Sequence, residues 1–381
     1  MLADTRSQAA RLRILVIADS KITVPPKGYG GAERILGRIC DGLMQRGHHV
    51  TLMGARGSKT YSRLIAYPWA GQHNVLWRGY AKLAFFTRAI PQIFGRYDAI
   101  IAGCRTDYLK PFLYAGIPLL YRFGNPIDTS DVHKLTSHAR GPLSLVAVSE
   151  HQRQNFPEEQ WTTIYNSVDV RRISFHAEPG RYLAFIGRLT ANKGIDTAIR
   201  VAHSAGLPLK IAGNVSDEAG DLEFFKQQIE PYLRDTVEWI GEIGDDKKYE
   251  FLGKSLALLA PIRWDEPCAN VVMEALACGT PIITTRKGSM PELVKNAVTG
   301  FLAASESELT RAVGRIHELS RDVCRREAEI RFSSEDMVEK YLDVVHALVA
   351  RKTAVAGIPA RNRDEQHSRP ERSAPITTSQ E

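Results

Sequence analysis

A chain of 381 residues is long for one hydrophobic core and can form two domains. Its 44% hydrophobic and 24% charged residues are typical of a soluble globular protein, and no apolar run reaches the ~18–20 residues of a membrane span. The net charge of +7 suits anionic substrates or an acidic membrane surface but does not by itself indicate nucleic acid.

The first predicted unit is a strand, a glycine-containing loop and a helix. Residues 12–18 are predicted as the first strand of a parallel sheet, and residues 32–46 as a helix. Gly30 and Gly31 in the loop between them let backbone N–H groups approach a phosphate or a sugar. Tyr29 directly precedes Gly30 in this loop and is a further candidate. An ordinary strand-to-helix turn accounts for the same glycines equally well.

Residues 75–96 have helical periodicity and carry an unusual mixture of basic and aromatic side chains. These are Arg78, Lys82, Arg88 and Arg96, interleaved with Trp77, Phe85, Phe86 and Phe94. A basic aromatic helix can lie on an anionic membrane. Aromatic residues at this spacing more often pack in a core, which is the favoured interpretation.

Polar residues follow the next predicted strands and are expected to line a cleft. The strands are predicted at 98–102, 117–122 and 145–148. The second of them leads into the polar loop 124–131, in which Asn125 is a candidate for lining the cleft. His133 lies just beyond that loop and is a second candidate.

A second domain is predicted to start with a strand at 182–186 and the turn G-R-L-T-A-N-K-G at 187–194. Arg188 and Lys193 in this turn could neutralise a diphosphate, the arginine as a fork and the lysine as a point charge. Two solvated surface charges are the alternative. A strand at 209–213 follows and ends in Asn214.

Residues 256–285 read as a βαβ unit, with strands at 256–261 and 282–285 and a helix at 269–278. Ligands bind such units at the carboxyl end of the strand, where the free N–H groups of the helix favour a phosphate. Glu274 lies roughly 6–8 Å along the helix, a spacing that suits ribose hydroxyls. Glu266, before the helix, could reach a sugar beyond the phosphate. A surface turn and a solvated glutamate remain the alternative.

These segments resemble retaining glycosyltransferase family 4, which has the GT-B fold. Glu266-Pro267 and the run E-A-L-A-C-G-T-P-I at 274–282 resemble its donor-site signature, with Cys268-Ala269 where the family usually has Phe-Gly. The turn at 187–194 resembles its phosphate-binding element, and Gly241-Glu242-Ile243 its base-contacting turn. The first loop, P-P-K-G-Y-G-G-A-E-R, resembles the avilamycin-type subgroup.

The resemblance implies an α/β protein with two doubly wound, Rossmann-like domains that face each other across a cleft. Residues 12–170 would form the acceptor-side domain and residues 171–350 the nucleotide-sugar-binding domain, with the last helix crossing back to the first. Residues 1–11 are predicted to be loose. Residues 351–381 contain no aromatic residue and are predicted to be a disordered tail.

The resemblance also implies the reaction. A hexosyltransferase of this kind moves a sugar from a nucleotide diphosphate sugar to a saccharide, lipid-linked or small-molecule acceptor, with retention, in polysaccharide, lipopolysaccharide or glycoconjugate synthesis. Neither a metal nor another cofactor is expected. The catalytic candidates are Arg188, Lys193 and Glu266, and the acceptor-side candidates are Tyr29, Asn125 and His133. The donor-binding candidates are Gly30, Gly31, Gly187, Asn214, Ile243, Cys268, Ala269, Asn270 and Glu274.

Cysteine usage bears on the compartment. The five cysteines are scattered without a CxxC pair, and the N-terminus lacks the apolar core of a signal peptide. Free thiols in a reducing cytoplasm are therefore expected, with a peripheral position at the inner face of the membrane left open.

Three other classes of function share some of these sequence features. A dinucleotide dehydrogenase would need G-x-G-x-x-G directly after the first strand and an acidic residue at the end of the second, where Met53-Gly54-Ala55 stands. A sugar-nucleotide epimerase can share the GT-B fold but fits the motif at 266–281 less well. A catalytically inactive scaffold stays open, because many family members carry a histidine near a strand end of the first domain and residues 102–105 and 123–125 contain none.

Overall fold

The computed structural model describes residues 11–26, 28, 30–67, 75–157, 161–216, 218–234 and 236–355. Tyr29 and the predicted loose N-terminus up to residue 10 lie outside the described residues, as does the part of the predicted tail after residue 355.

The first half of the chain forms a seven-stranded parallel sheet in the order β3-β2-β1-β4-β5-β6-β7. The strands are β1 Arg13–Ala18, β2 His49–Ala55, β3 Arg63–Tyr67, β4 Ala99–Gly103, β5 Leu119–Arg122, β6 Leu143–Ala147 and β7 Trp161–Thr163. The helices are α1 Gly31–Gln45, α2 Val75–Ile93, α3 Lys110–Tyr114, α4 Thr129–His138 and α5 Glu150–Arg153.

The second half forms a six-stranded parallel sheet in the order β10-β9-β8-β11-β12-β13. The strands are β8 Leu183–Ile186, β9 Leu209–Ala212, β10 Val237–Trp239, β11 Ala257–Ala260, β12 Ile282–Thr285 and β13 Gly300–Ala303. The helices are α6 Ile195–Ser204, α7 Ala219–Gln228, α8 Asp245–Gly253, α9 Asn270–Ala277, α10 Met290–Leu293, α11 Glu306–Gly314, α12 Arg321–Arg331 and α13 Ser334–Val355. Each sheet starts in its middle and is wound outward in both directions, which confirms the predicted doubly wound architecture.

The central strands are apolar because helices cover both of their faces. Every residue of β1 after Arg13 is buried, and so is all of β11. β1 pairs with β4 in parallel register, Ile14 opposite Ala99, which aligns the carboxyl ends of the two strands at one edge. The loops at such an edge are where ligands bind in sheets of this kind.

Helix α13 starts after the second domain and packs on the first. It contributes Met337, Val338, Tyr341, Leu342 and Val345 to a core that also contains β1 and α1. It extends to Val355, so the prediction of a tail from residue 351 was wrong for its first five residues. The reason is local, since no glycine or proline interrupts the helix before residue 357.

Several elements were not predicted from the sequence. α4 and α12 are the longest of them, and the strands β3 and β7 are among the others; α4 begins at Thr129, inside the predicted loop 124–131, and α12 lies between α11 and α13. α12 is strongly polar, and its charges pair with one another along the helix, as Arg325 does with Glu329. Its buried side is limited mainly to Cys324 and Ala328, so the apolar periodicity is weak.

Helix α2 packs on the first sheet through Ala84, Phe85 and Ala89, which confirms the core interpretation for Phe85, but Phe94 is exposed and the interpretation was wrong there. Its opposite side is exposed and also apolar. No helix in the described part of the chain combines the length and the apolar character needed to span a bilayer.

Candidate functional site

The turn after β8 places two cations at the carboxyl edge of the second sheet. Arg188 follows Gly187, and the backbone N–H of Leu189 donates to the Asn214 carbonyl at 3.0 Å, which ties this turn to the end of β9. Lys193 ends a short 3-10 turn just before α6.

Lys193 and Trp264, both half-buried, form a cluster with the buried Glu266. Its ammonium donates to Glu266 Oε2 and lies 5.3 Å from the centre of the Trp264 ring. The indole N–H of Trp264 donates to the same carboxylate oxygen at 2.9 Å. Two of the three predicted catalytic residues therefore contact each other directly.

Gly288 holds the Glu266 backbone in place from the opposite side. It has a positive φ of 56°, and a Cβ at this position would lie 2.3 Å from the Glu266 nitrogen. The next residue, Ser289, donates its N–H to the Glu266 carbonyl at 2.9 Å. Only glycine allows the two loops to approach this closely.

The second carboxylate, Glu274, is buried on α9 and faces a buried lysine. Lys248 Nζ on α8 donates to Glu274 Oε1 at 2.7 Å and lies 2.8 Å from Asp245 Oδ1. Burial alone would lower the pKa of Lys248, but the nearby Glu274 and Asp245 carboxylates raise it above its usual value. The pair is thus an ammonium and a carboxylate in a largely dry environment, and the solvated-glutamate alternative is wrong for Glu274.

The start of α9 contacts the first domain. Asn270 Oδ1 accepts from Asn166 Nδ2 at 2.8 Å, and its own Nδ2 donates weakly to the Gly31 carbonyl at 3.4 Å. A Cβ on Gly31 would lie 2.8 Å from that nitrogen, so the glycine permits the close approach of the two domains. Ala269, at the N-cap, has φ −79°, which any residue can adopt. Replacement of the family's glycine therefore causes no backbone strain there.

A second contact across the domains is ionic. Arg34 on α1 pairs with Asp245 at the start of α8, and also donates to the Gly28 carbonyl at 3.1 Å. Because Asp245 also contacts Lys248, charges alternate in sign from α1 to Glu274. The glycine loop of the first domain thus lies directly against the candidate donor-binding residues of the second domain.

The remaining candidates are placed less centrally. Cys268 is buried beside Ala269, and Ile243 is half-buried against the core under α9. Asn125 is exposed and accepts from Gln152 Nε2 through its carbonyl at 2.6 Å. His133 is exposed on α4, and no contact in the described part of the chain joins it to Glu266 or Lys193.

Two residues near the site were missed by sequence reasoning. His151 Nε2 on α5 lies 3.5 Å from Asp265 Oδ1, which places a first-domain imidazole beside the Glu266 loop. The Glu292 carboxylate accepts from the backbone N–H groups of Glu150 and His151 at 2.8 and 2.6 Å, and from Tyr165 Oη at 2.8 Å. His151 lies three residues after the strand predicted at 145–148, so a sequence signal for a histidine near a strand end existed.

A groove of about 390 Å³ runs between these two segments of the interdomain surface. It is lined by Glu150, His151, Arg153, Gln154, Phe156, Gly288, Pro291 and Glu292. Among the residues that the structure describes, those of the groove included, no group of three or more His, Cys, Asp or Glu side chains is arranged to hold a metal ion.

Comparison with known proteins gives consistent results. Residues 168–332 match the family described as Glycosyl transferases group 1. An uncharacterized glycosyltransferase of Methanocaldococcus jannaschii is 27% identical in a match that covers 83% of this chain and 92% of that protein. A glycogen synthase of Thermodesulfovibrio yellowstonii is 28% identical, but the match covers 46% of this chain and 37% of the synthase.

Solved structures show the same fold. AviGT4, a glycosyltransferase involved in avilamycin A biosynthesis, has a TM-score of 0.67 at 24% identity and covers 89% of this chain and 98% of its own. Anabaena HepE in complex with UDP-glucose has a TM-score of 0.69 at 18% identity, with coverage of 89% and 100%. The chain therefore has the GT-B fold, as predicted, and these findings support glycosyl transfer as its activity.

Proposed function

We propose that this protein transfers a hexosyl group from a nucleotide diphosphate sugar to an acceptor, with retention of configuration at the anomeric carbon. One observation carries the proposal: two buried carboxylates, Glu266 and Glu274, each face a lysine at the sheet edge that meets the first-domain glycine loop. In a nucleotide diphosphate sugar the diphosphate lies between two hydroxyl-bearing rings, the ribose and the transferred sugar. The site has the same order, with cations between two carboxylates.

The donor would lie with its ribose at Glu274 and its diphosphate between the α9 N-terminus and the two cations of the first turn, Arg188 and Lys193. Glu266 would then orient the sugar. Charge develops on the diphosphate as the bond from sugar to oxygen breaks, and preorganised cations stabilise that charge. We propose that this positive charge replaces a metal ion, so that no cofactor is required.

The diphosphate would compete with Glu266 for Lys193. In the described structure the ammonium is paired with that carboxylate, and donor binding would give it a second anionic partner. The carboxylate would in turn gain sugar hydroxyls as donors. This exchange explains why an acid and a base that neutralise each other stand at one site.

The acceptor would approach from the first domain. The groove beside His151 combines planar polar side chains with the Phe156 ring, which suits a saccharide, whether free or lipid-linked. His151 would lie on the acceptor side, in the position that His133 does not reach. We also propose that the protein belongs to the avilamycin-type subgroup. Its role would lie in cell-surface polysaccharide, lipopolysaccharide or glycoconjugate synthesis.

The test is a donor screen followed by a turnover assay on the full chain. Uridine, guanosine and adenosine diphosphate sugars are compared by thermal shift, where a ligand at 100 times its Kd adds ~2.7 kcal/mol of stability. The stabilising donor is then incubated with saccharide, lipid-linked and small-molecule acceptors. NMR of the product is expected to show the donor's anomeric configuration.

The outcomes separate the rival functions. An isomerised nucleotide sugar formed without an acceptor would identify an epimerase. Donor binding without turnover on every acceptor class would favour a scaffold. Inversion at the anomeric carbon would overturn the retaining mechanism, and no stabilisation by any of the three donor classes would overturn the donor site itself.

A further inference from the structure

Helix α2 presents a second apolar face, directed away from the core. Three large side chains on it are exposed to solvent, Tyr80 by 52%, Leu83 by 64% and Ile90 by 52%, and so is Phe94, by 80%, directly after the last residue of the helix. Contiguous apolar surface of this kind on a folded domain marks an interaction site rather than incidental exposure.

The spacing places these side chains in one stripe. They follow one another at intervals of three, seven and four residues, and each residue of a helix advances by about 100°. Thr87 and Pro91, which fall within the same arc, are exposed as well. The opposite side of the helix is buried through Ala84, Phe85 and Ala89, so the stripe is not needed for packing on the sheet.

The charges of this helix have one sign. α2 contains no Asp or Glu, and Arg78, Lys82 and Arg88 lie within it. Beyond its end, Arg96 is exposed, and Arg13 donates through Nη2 to the Gly95 carbonyl at 2.9 Å. Asp98 lies nearby, where it accepts from the Arg13 backbone at 2.8 Å. Cations therefore accompany the stripe at its Phe94 end as well as along the helix.

We propose that this α2 face docks on an anionic lipid bilayer. Leu83, Ile90 and Phe94 would enter the boundary between headgroups and acyl chains, and the exposed cations Lys82 and Arg96 would meet the lipid phosphates. Apolar side chains and cations are both required for reversible binding of an interfacial helix, and α2 supplies both. The bound state is peripheral, because the other side of the helix stays packed on its own domain.

A second copy of this chain suits the face less well. A two-fold dimer would place the stripe against the stripe of the other copy and bring two sets of like charges, each including Lys82 and Arg96, to one interface. An anionic surface removes that repulsion, whereas a dimer creates it. The bilayer is therefore the occupant that the charges favour.

Vesicle flotation of the full chain tests this inference without donor or acceptor, so its result is independent of the proposed function. Vesicles of equal parts phosphatidylcholine and phosphatidylglycerol are compared with vesicles of phosphatidylcholine alone. The variant Leu83→Ser/Ile90→Ser is compared with Leu222→Ser/Ile330→Ser, which alters exposed side chains (43% and 66%) on α7 and α12. The charge variant Lys82→Gln/Arg96→Gln is compared with Lys226→Gln/Arg326→Gln, a pair of exposed cations on the same two helices.

The native chain is expected to float with the anionic vesicles and not with the neutral ones. Both α2 variants should lose on the order of tenfold or more of that binding, and both controls should keep it. Equal binding by an α2 variant and its control would overturn the inference. So would absence of binding by the native chain, or a concentration-dependent dimer in sedimentation that Leu83→Ser/Ile90→Ser dissociates. Melting temperatures of all variants verify that the fold is retained.

Discussion

Each donor-site carboxylate faces a lysine, but the two pairs differ in what surrounds them. Lys193 and Glu266 lie at a loop edge where a diphosphate could intervene. Lys248 and Glu274 lie between two packed helices, where the lysine has no room to leave. The first pair is therefore expected to exchange partners on donor binding, and the second to remain intact.

Replacement of Glu266 by glutamine tests the exchange. Glu266→Gln removes the anion that competes for Lys193, so the affinity for the free nucleoside diphosphate should be unchanged or higher, by up to about tenfold. Turnover should fall, because the sugar loses its orienting acceptor. Calorimetry and initial rates measure the two effects. Asp265→Asn removes a charge from the same loop and should not raise the affinity; weaker diphosphate binding by Glu266→Gln would contradict competition.

The two cations should act mainly on the transition state. Arg188→Ala should reduce kcat by on the order of a hundredfold or more, with a much smaller change in KM for the donor. Lys193→Ala should behave alike, and the double variant should fall short of the summed losses because both cations serve one diphosphate. Variants that raise KM and keep full kcat would show that these residues only hold the donor.

The buried pair allows stability and binding to be separated. Lys248→Met leaves the Glu274 charge buried without its partner, and should lower the free energy of unfolding by about 3–5 kcal/mol. Lys248→Met/Glu274→Gln should recover most of that loss in urea titrations. Nucleotide binding should be weaker than in the native chain in both Glu274→Ala and the double variant. The loss of binding free energy should be roughly 1.5–3 kcal/mol for each lost hydrogen bond. Native affinity in the double variant would show that Glu274 does not hold the ribose.

At the scale of elements, helix α1 connects the two domains. Its start contacts Asn270 through Gly31, Arg34 pairs with Asp245, and Arg38 donates to the Ser167 carbonyl. Its far end packs on α13 instead. The same helix therefore joins the donor side of the cleft to the segment that crosses back between the domains.

An arginine at each end of α1 provides a matched comparison. Arg34→Gln removes the ion pair that holds the glycine loop on the donor side, and should lower kcat/KM by on the order of tenfold, or ~1.4 kcal/mol. Arg46→Gln removes a more exposed pair with Glu339 and should change stability by at most about 1 kcal/mol and leave kcat/KM intact. Equal losses in the two variants would indicate a general effect of the helix rather than closure at the donor site.

At the scale of the molecule, the first domain depends on the last helix. Six apolar or aromatic side chains of α13 are buried in its core, and each contributes roughly 1.5–3 kcal/mol by burial. That sum is comparable with the whole stability of a domain, about 5–15 kcal/mol. A chain ending at Ser333 should therefore fail to fold its first domain, whereas one ending at Val355 should melt and turn over like the full chain. A lower melting temperature for the second truncation would show that residues after 355 are packed.

The five cysteines are all free and buried. Burial raises the pKa of each thiol, to about 12 for Cys268, Cys278 and Cys324, so the thiols are unreactive in the folded protein. They neither cross-link the chain nor offer a nucleophile. Their packing contributes to the two cores in the manner of other small apolar residues.

The doubly wound fold and the short segments that hold the candidate donor-site residues could be predicted from the sequence alone, because each motif lies within a single strand–turn–helix unit. Gly187 to Lys193 and Glu266 to Glu274 are short segments, and their local periodicity orients them without knowledge of the rest of the chain. Short or charged elements such as β3 and α12 lack that periodicity and were not predicted. Their positions depend on neighbours that are distant in the chain.

Only the tertiary structure decided which charges meet. Lys248 is 26 residues from Glu274 in the chain, and Arg34 is 211 residues from Asp245. Glu292, whose carboxylate accepts a hydrogen bond from the Glu150 N–H, is 142 residues from Glu150. No local pattern marks such pairs, because each exists only when α8 packs beside α9 or the two domains come together. The same holds for the exposed face of α2, since its periodicity predicts two apolar sides and only packing shows which one the sheet covers.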